Sequence, residues 1–256
     1  MKTYLKERLY DPKSRLMGMF IKLPTTETIE MIAYAGCDFV IIDMEHAPYS
    51  VETVYQLSVV ADLHDMSCLV RLPGHNMGVA TQMLDGGAAG ILVPHCSPYD
   101  VAKELIGDMV FPPVGRRGAG GGQRTGHWGF GAREDYRKSG DEGIVRVPMI
   151  EDPEAVEDID RILTIPGVDA IFIGQGDLGQ TLGAGNPKIA ELVQTALSAA
   201  NAKGIPACTT ATPADLESRF TQGFKWLTVG NDTGMFARAV EENFKTVKAI
   251  VAALKK

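Results

Sequence analysis

The segment Phe39-Val40-Ile41-Ile42-Asp43-Met44-Glu45-His46 is the most informative stretch of the sequence. It opens with four consecutive apolar residues, and this composition is typical of a strand buried on both faces of a parallel sheet. Two carboxylates and an imidazole follow within four positions. Charged groups at the C-terminal end of a buried strand are the usual construction of an active site on an α/β barrel.

Outward from this segment, the chain alternates strands and helices with turn residues between them. Strands are predicted at 16–21, 38–43, 67–71, 90–94, 143–150, 168–173, 205–209 and 226–229. Helices are predicted after each strand; among them are one at 153–163 and a last one that is capped by Asp232 and runs to about Leu254. Eight strand–helix units predict a closed (β/α)₈ TIM barrel that occupies 1–256 as a single domain.

Two other organisations are compatible with parts of the sequence. A chain of 256 residues could also form two smaller domains. A doubly wound open sheet would require a glycine-rich turn after its first strand, where this chain has Lys22-Leu23-Pro24-Thr25. The barrel is therefore the favoured fold.

Composition restricts the partners. The net charge of −7 and the absence of a basic run argue against nucleic acid or an anionic membrane as a partner. The chain lacks an N-terminal apolar signal segment and an apolar run long enough to cross a membrane. Four cysteines are far apart and form no CxxC motif, as in a reduced cytoplasmic protein. We expect a cytoplasmic protein that acts on a small molecule.

Polar residues follow every predicted strand, and a barrel would bring them together at one mouth. They are Lys22, Asp43, Glu45, His46, Arg71, His95, Glu151, Gln175, Asp177, Thr209, Thr210, Asn231 and Asp232. A structural protein has no reason to place so many ionisable groups there.

Glu151 and Asp177 follow neighbouring strands, which lie roughly 5 Å apart in a sheet. Their carboxylates could share one divalent cation and leave positions open for water and substrate oxygens. Oxygen ligands favour Mg²⁺ or Mn²⁺ over zinc. Alternatively, the two residues could simply cap the helices that follow them.

Three further groups could act on a bound anion. Arg71 ends an apolar strand, and its guanidinium suits a carboxylate or enolate oxygen, although it could also pair with Asp43 or Glu45. Backbone N–H groups of the turn 174–177, including Gly176, could hold a substrate carboxylate. Asp43 could fix the tautomer of His46 and make that imidazole a general base, unless this pair is only structural. His95 lacks such a partner in sequence and is expected to be structural or peripheral.

These residues, taken in order, resemble the HpcH/HpaI aldolase/citrate lyase family of metal-dependent pyruvate aldolases. The matching segments are Asp43-Met44-Glu45-His46-Ala47-Pro48, Val70-Arg71, Leu84-Asp85-Gly86-Gly87, Phe111-Pro112-Pro113-Val114-Gly115-Arg116-Arg117-Gly118, Ile150-Glu151 and Gly167-Val168-Asp169-Ala170-Ile171-Phe172-Ile173-Gly174 with Asp177-Leu178. Together they span nearly the whole chain.

The resemblance implies a barrel of the phosphoenolpyruvate/pyruvate type that cleaves a 4-hydroxy-2-oxo acid into pyruvate and an aldehyde. It implies metal ligands at Glu151 and Asp177, with Co²⁺ as a further candidate ion, and an enolate-stabilising Arg71. It assigns the catalytic dyad to His46 with Asp43, and substrate-binding or nearby roles to Glu45 and Asp85. It also implies a homo-oligomer, a hexamer or a trimer, in which the last helix packs on a neighbouring subunit.

The chain departs from its relatives near the expected substrate. Met149 stands where relatives often carry glutamine, and Gln175-Gly176 stands where they often carry proline and a small residue. The glycine-rich segment 111–131 is expected to bound the acceptor end as an active-site loop, with Arg116, Arg117 or Arg124 reading a distal carboxylate. The aldehyde therefore stays unassigned.

Three rival functions share parts of this pattern. A Schiff-base aldolase would use a lysine at a strand end, for which Lys22 is the candidate. A citrate or malyl-thioester lyase would use the same barrel but should need a basic surface for its cofactor. A catalytically silent binding barrel would have no need of the complete polar set.

Overall fold

The computed structural model describes residues 4–254 and contains a closed barrel of eight parallel strands. The strands are β1 (Leu16–Ile21), β2 (Phe39–Asp43), β3 (Ser67–Arg71), β4 (Gly90–Val93), β5 (Val145–Ile150), β6 (Ile171–Ile173), β7 (Ala207–Thr210) and β8 (Trp226–Asn231). Each strand pairs with the next along the chain, and β8 pairs with β1. The predicted (β/α)₈ fold is confirmed.

Helices accompany the barrel, and most of them connect consecutive strands. They are α1 (Tyr4–Tyr10), α2 (Thr26–Tyr34), α3 (Val51–Leu63), α4 (Met77–Gly86), α5 (Tyr99–Gly107), α6 (Arg133–Glu142), α7 (Pro153–Glu157), α8 (Ile159–Ile162), α9 (Gln175–Leu182), α10 (Lys188–Ala202), α11 (Leu216–Gln222) and α12 (Asp232–Leu254). A short 3₁₀ segment, Arg124–Gly129, lies in the glycine-rich stretch. Within the described residues, no helix is both long and apolar enough to cross a membrane.

Strand residues alternate between two apolar cores. In β2, Phe39 and Ile41 point into the barrel, while Val40 and Ile42 pack against the surrounding helices. The interior is tight at Gly18, where an added Cβ would stand 2.3 Å from the Phe39 ring. The apolar run that predicted β2 is thus explained by burial on both faces.

The sequence did not predict α1 or α6. Leu5 and Leu9 of α1, one helical turn apart, are both buried and join the interior core next to Leu16, the first residue of β1. This helix therefore closes the barrel at the end where the strands begin. The predicted helix at 153–163 is divided at Asp158 into α7 and α8, and β6 is shorter than predicted.

The start of α12 corrects the predicted cap. The side chain of Asn231, and not that of Asp232, accepts the Gly234 N–H at 2.7 Å and so caps the helix. The buried Asp232 carboxylate accepts the Thr233 N–H at 2.7 Å and also the backbone N–H groups of Lys22 and Leu23, at 2.9 Å each for the shorter contacts. Asp232 therefore ties the end of β1 to α12.

Candidate active site

A cavity of about 180 Å³ opens at the C-terminal ends of the strands. Its lining residues are Phe20, Lys22, Arg71, Met149, Phe172, Gly174, Gln175, Gly176, Asp177, Thr210 and Asn231. Six of these were among the strand-end polar residues of the sequence: Lys22, Arg71, Gln175, Asp177, Thr210 and Asn231. The barrel therefore does bring much of the predicted set to one place.

Arg71 is the centre of an ion-pair cluster on the β2–β3 side of the mouth. Its Nε and Nη2 donate to the two oxygens of Asp43 at 2.9 and 2.7 Å, and its Nη1 lies 2.9 Å from Glu45 Oε2. Asp43 and Arg71 are direct partners in the register of the parallel strands, which explains the contact. The guanidinium also stacks 5.0 Å above the Phe20 ring. Arg71 is thus rigidly held.

The Asp43 carboxylate is saturated with donors. Besides Arg71, it accepts the backbone N–H groups of Glu45 and His46 at 3.2 Å, and Lys22 Nζ lies 3.3 Å from its Oδ2. Burial would raise the pKa of Asp43, but the bonds and charge of Arg71 outweigh it, so the pKa lies below its ordinary value. Asp43 is an anion held inside the fold.

The predicted pairing of Asp43 with the His46 imidazole is wrong within the described residues. Arg71 occupies both carboxylate oxygens, and Asp43 contacts only the backbone of His46. The half-exposed imidazole instead lies 3.8 Å from Glu45 Oε2. Glu45 therefore connects His46 to Arg71 at the rim of the mouth.

Glu151 lies beside the cavity and is almost completely buried, with 1% of its surface exposed. Its Oε1 accepts the backbone N–H of His95 at 2.8 Å, whereas its buried Oε2 has no hydrogen-bond partner among the described residues. An added Cβ on Gly174 would stand 2.7 Å from that oxygen, so only glycine fits there. Burial raises the pKa of Glu151 to about 7, and the neighbouring Asp177 charge adds to this rise.

The donor set fits a small divalent cation. Within the described residues, no three histidine, cysteine or acidic side chains are placed so that they could hold a metal ion together. The candidate protein ligands are therefore two carboxylates that lie close together, Glu151 and Asp177. A two-carboxylate site leaves coordination positions for water and substrate, as magnesium sites commonly do. The unpartnered Oε2 of Glu151 is the oxygen that such an ion would satisfy.

The N-terminus of α9 borders the same cavity. This helix begins at Gln175, so the backbone N–H groups of Gln175, Gly176 and Asp177 belong to its first turn, where N–H groups have no intrahelical acceptor. Gly176 is exposed, and a Cβ added to it would meet nothing within 4 Å. These N–H groups face no side chain at Gly176, and anion binding by the turn stays a prediction.

The sequence predicts a structural or peripheral role for His95, but this residue lies among the acidic groups of the mouth. Its Nδ1 is 3.3 Å from Asp152 and 3.8 Å from Glu151, and its Nε2 is 3.8 Å from Glu45. Burial would lower the pKa of this imidazole, but the charges of Glu151, Asp152 and Glu45 outweigh it and raise the pKa above 6.5. The position of His95 just after β4 was the feature of the sequence that could have placed it at the mouth.

Apolar and amide groups complete the cavity, and the sequence did not assign them roles. Phe20 and Phe172 meet edge to face with their centroids 5.7 Å apart. Gln175 Nε2 donates to Thr209 Oγ1 at 2.8 Å, and Arg219 donates to Gln175 Oε1 at 3.2 Å. Because arginine can only donate, these bonds fix the orientation of the Gln175 amide.

Asp85 lies away from the cavity of its own chain. It occupies the last turn of α4, just before β4 begins, and therefore sits at the opposite end of the barrel. There it accepts Arg117 Nη2 at 2.8 Å and the Tyr136 hydroxyl at 3.1 Å. In the glycine-rich segment, Thr125 donates to the Asp85 carbonyl. Within the described part of one chain, neither Asp85 nor this loop borders the mouth, contrary to expectation.

The fold and the site define a class of enzyme: a (β/α)₈ barrel whose mouth combines the buried Glu151 and the half-buried Asp177 with an arginine–carboxylate cluster. The HpcH/HpaI aldolase/citrate lyase family model matches residues 16–239, and the chain belongs to this family. It is 29% identical to a 2-keto-3-deoxy-L-rhamnonate aldolase of Salmonella gallinarum, over 97% of this chain and 95% of that protein. The chain is accordingly a carbon–carbon lyase of the aldolase type.

Solved structures agree in fold. A HpcH/HpaI aldolase/citrate lyase family protein from Burkholderia cenocepacia J2315 superposes with a TM-score of 0.88 at 29% identity, over 96% of this chain and all (100%) of that one. The citrate synthase SbnG superposes with a TM-score of 0.86 at 29% identity, over 97% of this chain and 98% of that one.

Proposed function

We propose that this chain is a metal-dependent aldolase that cleaves a 4-hydroxy-2-oxo acid into pyruvate and an aldehyde, and also runs the reverse addition. The observation that carries the proposal is the unpartnered Glu151 Oε2, buried close to Asp177 and beside the cavity that Arg71 lines. A cation would stabilise a buried carboxylate oxygen that has no donor, and the same ion would polarise the carbonyl of a bound keto acid.

Glu151 and Asp177 would hold a divalent ion, Mg²⁺, Mn²⁺ or Co²⁺, from neighbouring positions after β5 and β6. The ion would supply positive charge to the keto oxygen and the carboxylate of the substrate. Backbone N–H groups at the start of α9 would donate hydrogen bonds to the same carboxylate.

Arg71 would stabilise the negative charge that develops on the keto oxygen. Three of its N–H groups are engaged by Asp43 and Glu45, so others remain for a substrate oxygen. Because those contacts hold the guanidinium in place before the substrate arrives, little reorganisation is needed during the reaction. Asp43 thus serves Arg71 as a positioning partner.

His46 would move the proton of the 4-hydroxyl group. In cleavage, this hydroxyl loses its proton to the imidazole, the bond between carbons 3 and 4 breaks, and its electron pair passes to the keto oxygen of the pyruvate enolate. Protonation of carbon 3 then gives pyruvate. The Glu45 carboxylate, 3.8 Å from His46, would stabilise the imidazolium that forms.

A Schiff-base route through Lys22 is less compatible with its contacts. Its ammonium lies 3.3 Å from the buried Asp43 carboxylate, and a protonated amine has no lone pair with which to attack a carbonyl. The similarity to the citrate synthase SbnG favours a second candidate, a citrate-type carbon–carbon bond reaction with a keto-acid acceptor in the same mouth.

We also propose that the chain works as a cytoplasmic homo-oligomer, a hexamer or a trimer. The helix α12 exposes an apolar stripe, in which Phe236 is 65% and Phe244 is 56% exposed. Contiguous exposed apolar surface often marks a protein–protein interface. Asp85 could reach a mouth only from a neighbouring copy. The described cysteines are all free, as expected in a reducing compartment.

Pyruvate release from a panel of 4-hydroxy-2-oxo acids tests the reaction, with Mg²⁺ or Mn²⁺ and after EDTA treatment. We expect release that is lost on chelation and restored by the ion. Activity that survives full chelation and is trapped by borohydride would instead establish the Schiff-base route. Carbon–carbon bond formation with oxaloacetate as the acceptor would instead support the second candidate, the citrate-type reaction.

Light scattering after size-exclusion chromatography tests the assembly. Phe244→Glu on the apolar stripe should reduce the molecular mass, while Lys245→Glu, on a different face of the same helix, should not. A wild-type protein that runs as a monomer of 27.6 kDa would refute the oligomer.

A further inference from the structure

Lys22 lies in the mouth on the side away from the carboxylate pair. It follows β1, whereas Glu151 follows β5, and these two strands are farthest apart in the closed order of eight. Thr210 of β7 and Asn231 of β8 line the cavity next to it. A keto acid held by the carboxylate pair would therefore point its other end toward this side.

The backbone of Lys22 is fixed. Its N–H donates to both oxygens of the Asp232 carboxylate, at 2.9 and 3.1 Å, and the next N–H, that of Leu23, donates to the same group. Asp232 is itself buried, with 6% of its surface exposed. The side chain thus starts from a defined point and reaches into the cavity it lines.

The ammonium of Lys22 is not needed to satisfy Asp43. Arg71 contacts the same Oδ2 at 2.7 Å, compared with 3.3 Å for Lys22 Nζ, and the other oxygen takes the remaining Arg71 bond and two backbone N–H groups. An ammonium has three N–H groups, of which Asp43 can take one here. With 27% of its side chain exposed, Lys22 has donors free for a ligand.

We propose that Lys22 is a specificity-determining residue that binds a carboxylate on the acceptor aldehyde. Thr210 and Asn231 supply neutral hydrogen-bonding groups next to it, and Phe20 provides an apolar surface for the carbons between the aldehyde and the carboxylate. The inference rests on the proposed function and adds the class of acceptor, an aldehyde with an anionic far end.

Two acceptors of equal length test the proposal: succinic semialdehyde, which carries a carboxylate, and butanal, which does not. We expect the wild type to add pyruvate to the anionic aldehyde with the higher kcat/KM. Lys22→Met keeps the aliphatic stem and removes the charge. It should lower the preference for succinic semialdehyde over butanal by about tenfold to a hundredfold, the usual worth of a hydrogen bond to a charged group. Lys22→Arg should restore part of it.

Lys203→Met is the matched control, since Lys203 follows α10 on the protein surface and should leave the preference unchanged. Exchange of the pyruvate methyl protons in D₂O with Mg²⁺ provides an independent readout because it needs no acceptor. No exchange in the wild type would refute the proposed function itself.

With exchange present, three results would overturn the role of Lys22 alone. The first is a wild-type ratio of kcat/KM for succinic semialdehyde over butanal that is near one. The second is an equal loss of kcat/KM with both acceptors in Lys22→Met. The third is a raised KM for pyruvate together with slower proton exchange in that variant. The first needs no variant, so the proposal stays testable even if Lys22→Met folds poorly.

Discussion

Replacing Arg71 by methionine would separate its catalytic role from its structural one. Arg71 is 6% exposed, and its guanidinium donates two hydrogen bonds to a carboxylate, Asp43, with no exposed surface. Removing one partner of a buried ion pair costs roughly 3–5 kcal/mol, because the other charge stays buried. Lys22 and two backbone N–H groups still contact Asp43, so we expect a loss of about 3 kcal/mol, at the lower end of that range.

The double variant Arg71→Met/Asp43→Asn removes the stranded charge along with the arginine. It should be more stable than Arg71→Met, by about 2 kcal/mol, since the amide is neutral. Its activity should stay low, roughly a hundredfold to a thousandfold below the wild type, because the donor for the developing enolate charge is still missing. Asp43→Asn alone is the control that keeps the arginine.

Urea unfolding gives the stability of the four proteins, and pyruvate release gives kcat/KM. Recovery of activity together with stability in the double variant would show that Arg71 only neutralises Asp43, and would refute its assignment to the enolate. Near-normal kcat/KM in Arg71→Met would refute it as well.

The pH dependence of stability gives a further check on the same pair. Arg71 holds the folded-state pKa of Asp43 below its ordinary value of 3.8, so this pair stabilises the fold above about pH 4 and ceases to do so as pH falls through the folded pKa. In Arg71→Met the buried carboxyl can protonate instead. The stability difference between wild type and variant should therefore shrink on going from pH 7 to pH 3.

Two other predictions concern the cation and the barrel interior. Glu151→Gln should abolish Mn²⁺ binding in calorimetry, whereas Asp152→Asn, a neighbouring change that spares the carboxylate pair, should retain it; equal binding by both would exclude Glu151 as a ligand. Gly18→Ala should lower the free energy of unfolding by about 1–3 kcal/mol, because its Cβ would meet the Phe39 ring at 2.3 Å. Gly107→Ala, with nothing within 4 Å, is the control, and equal effects of the two changes would contradict the steric reasoning.

The strands were predictable because burial on two faces leaves a plain record in the sequence. The limits predicted for β1 and β3 match the structure, and those for β2 differ by one residue. The helix α1 left no such record, since seven residues with Leu5 and Leu9 as inward residues are too few to establish a period. In α6 only Tyr136 and Gly140 are buried, so its pattern is almost entirely polar.

The membership of the site was easier to predict than its pairing. Polar residues after strands did converge, but the choice between Arg71 and His46 as the partner of Asp43 required the strand register, in which Asp43 lies opposite Arg71. Only the family resemblance predicts that Asp85 lies near the site. Its position before a strand, at the end of α4, already indicated the other end of the barrel.

The mouth contains two buried carboxylates in opposite conditions. Asp43 has donors on both oxygens, and its pKa is lowered; Glu151 has a donor on one oxygen only, and burial raises its pKa to about 7. If both carboxylates had only a structural role, we would expect the protein to supply hydrogen-bond donors to all of their oxygens. Because the protein supplies donors to both oxygens of Asp43, this carboxylate can orient Arg71 without binding anything else. Glu151 Oε2 has no partner among the described residues, and this is the oxygen for which we propose a divalent ion.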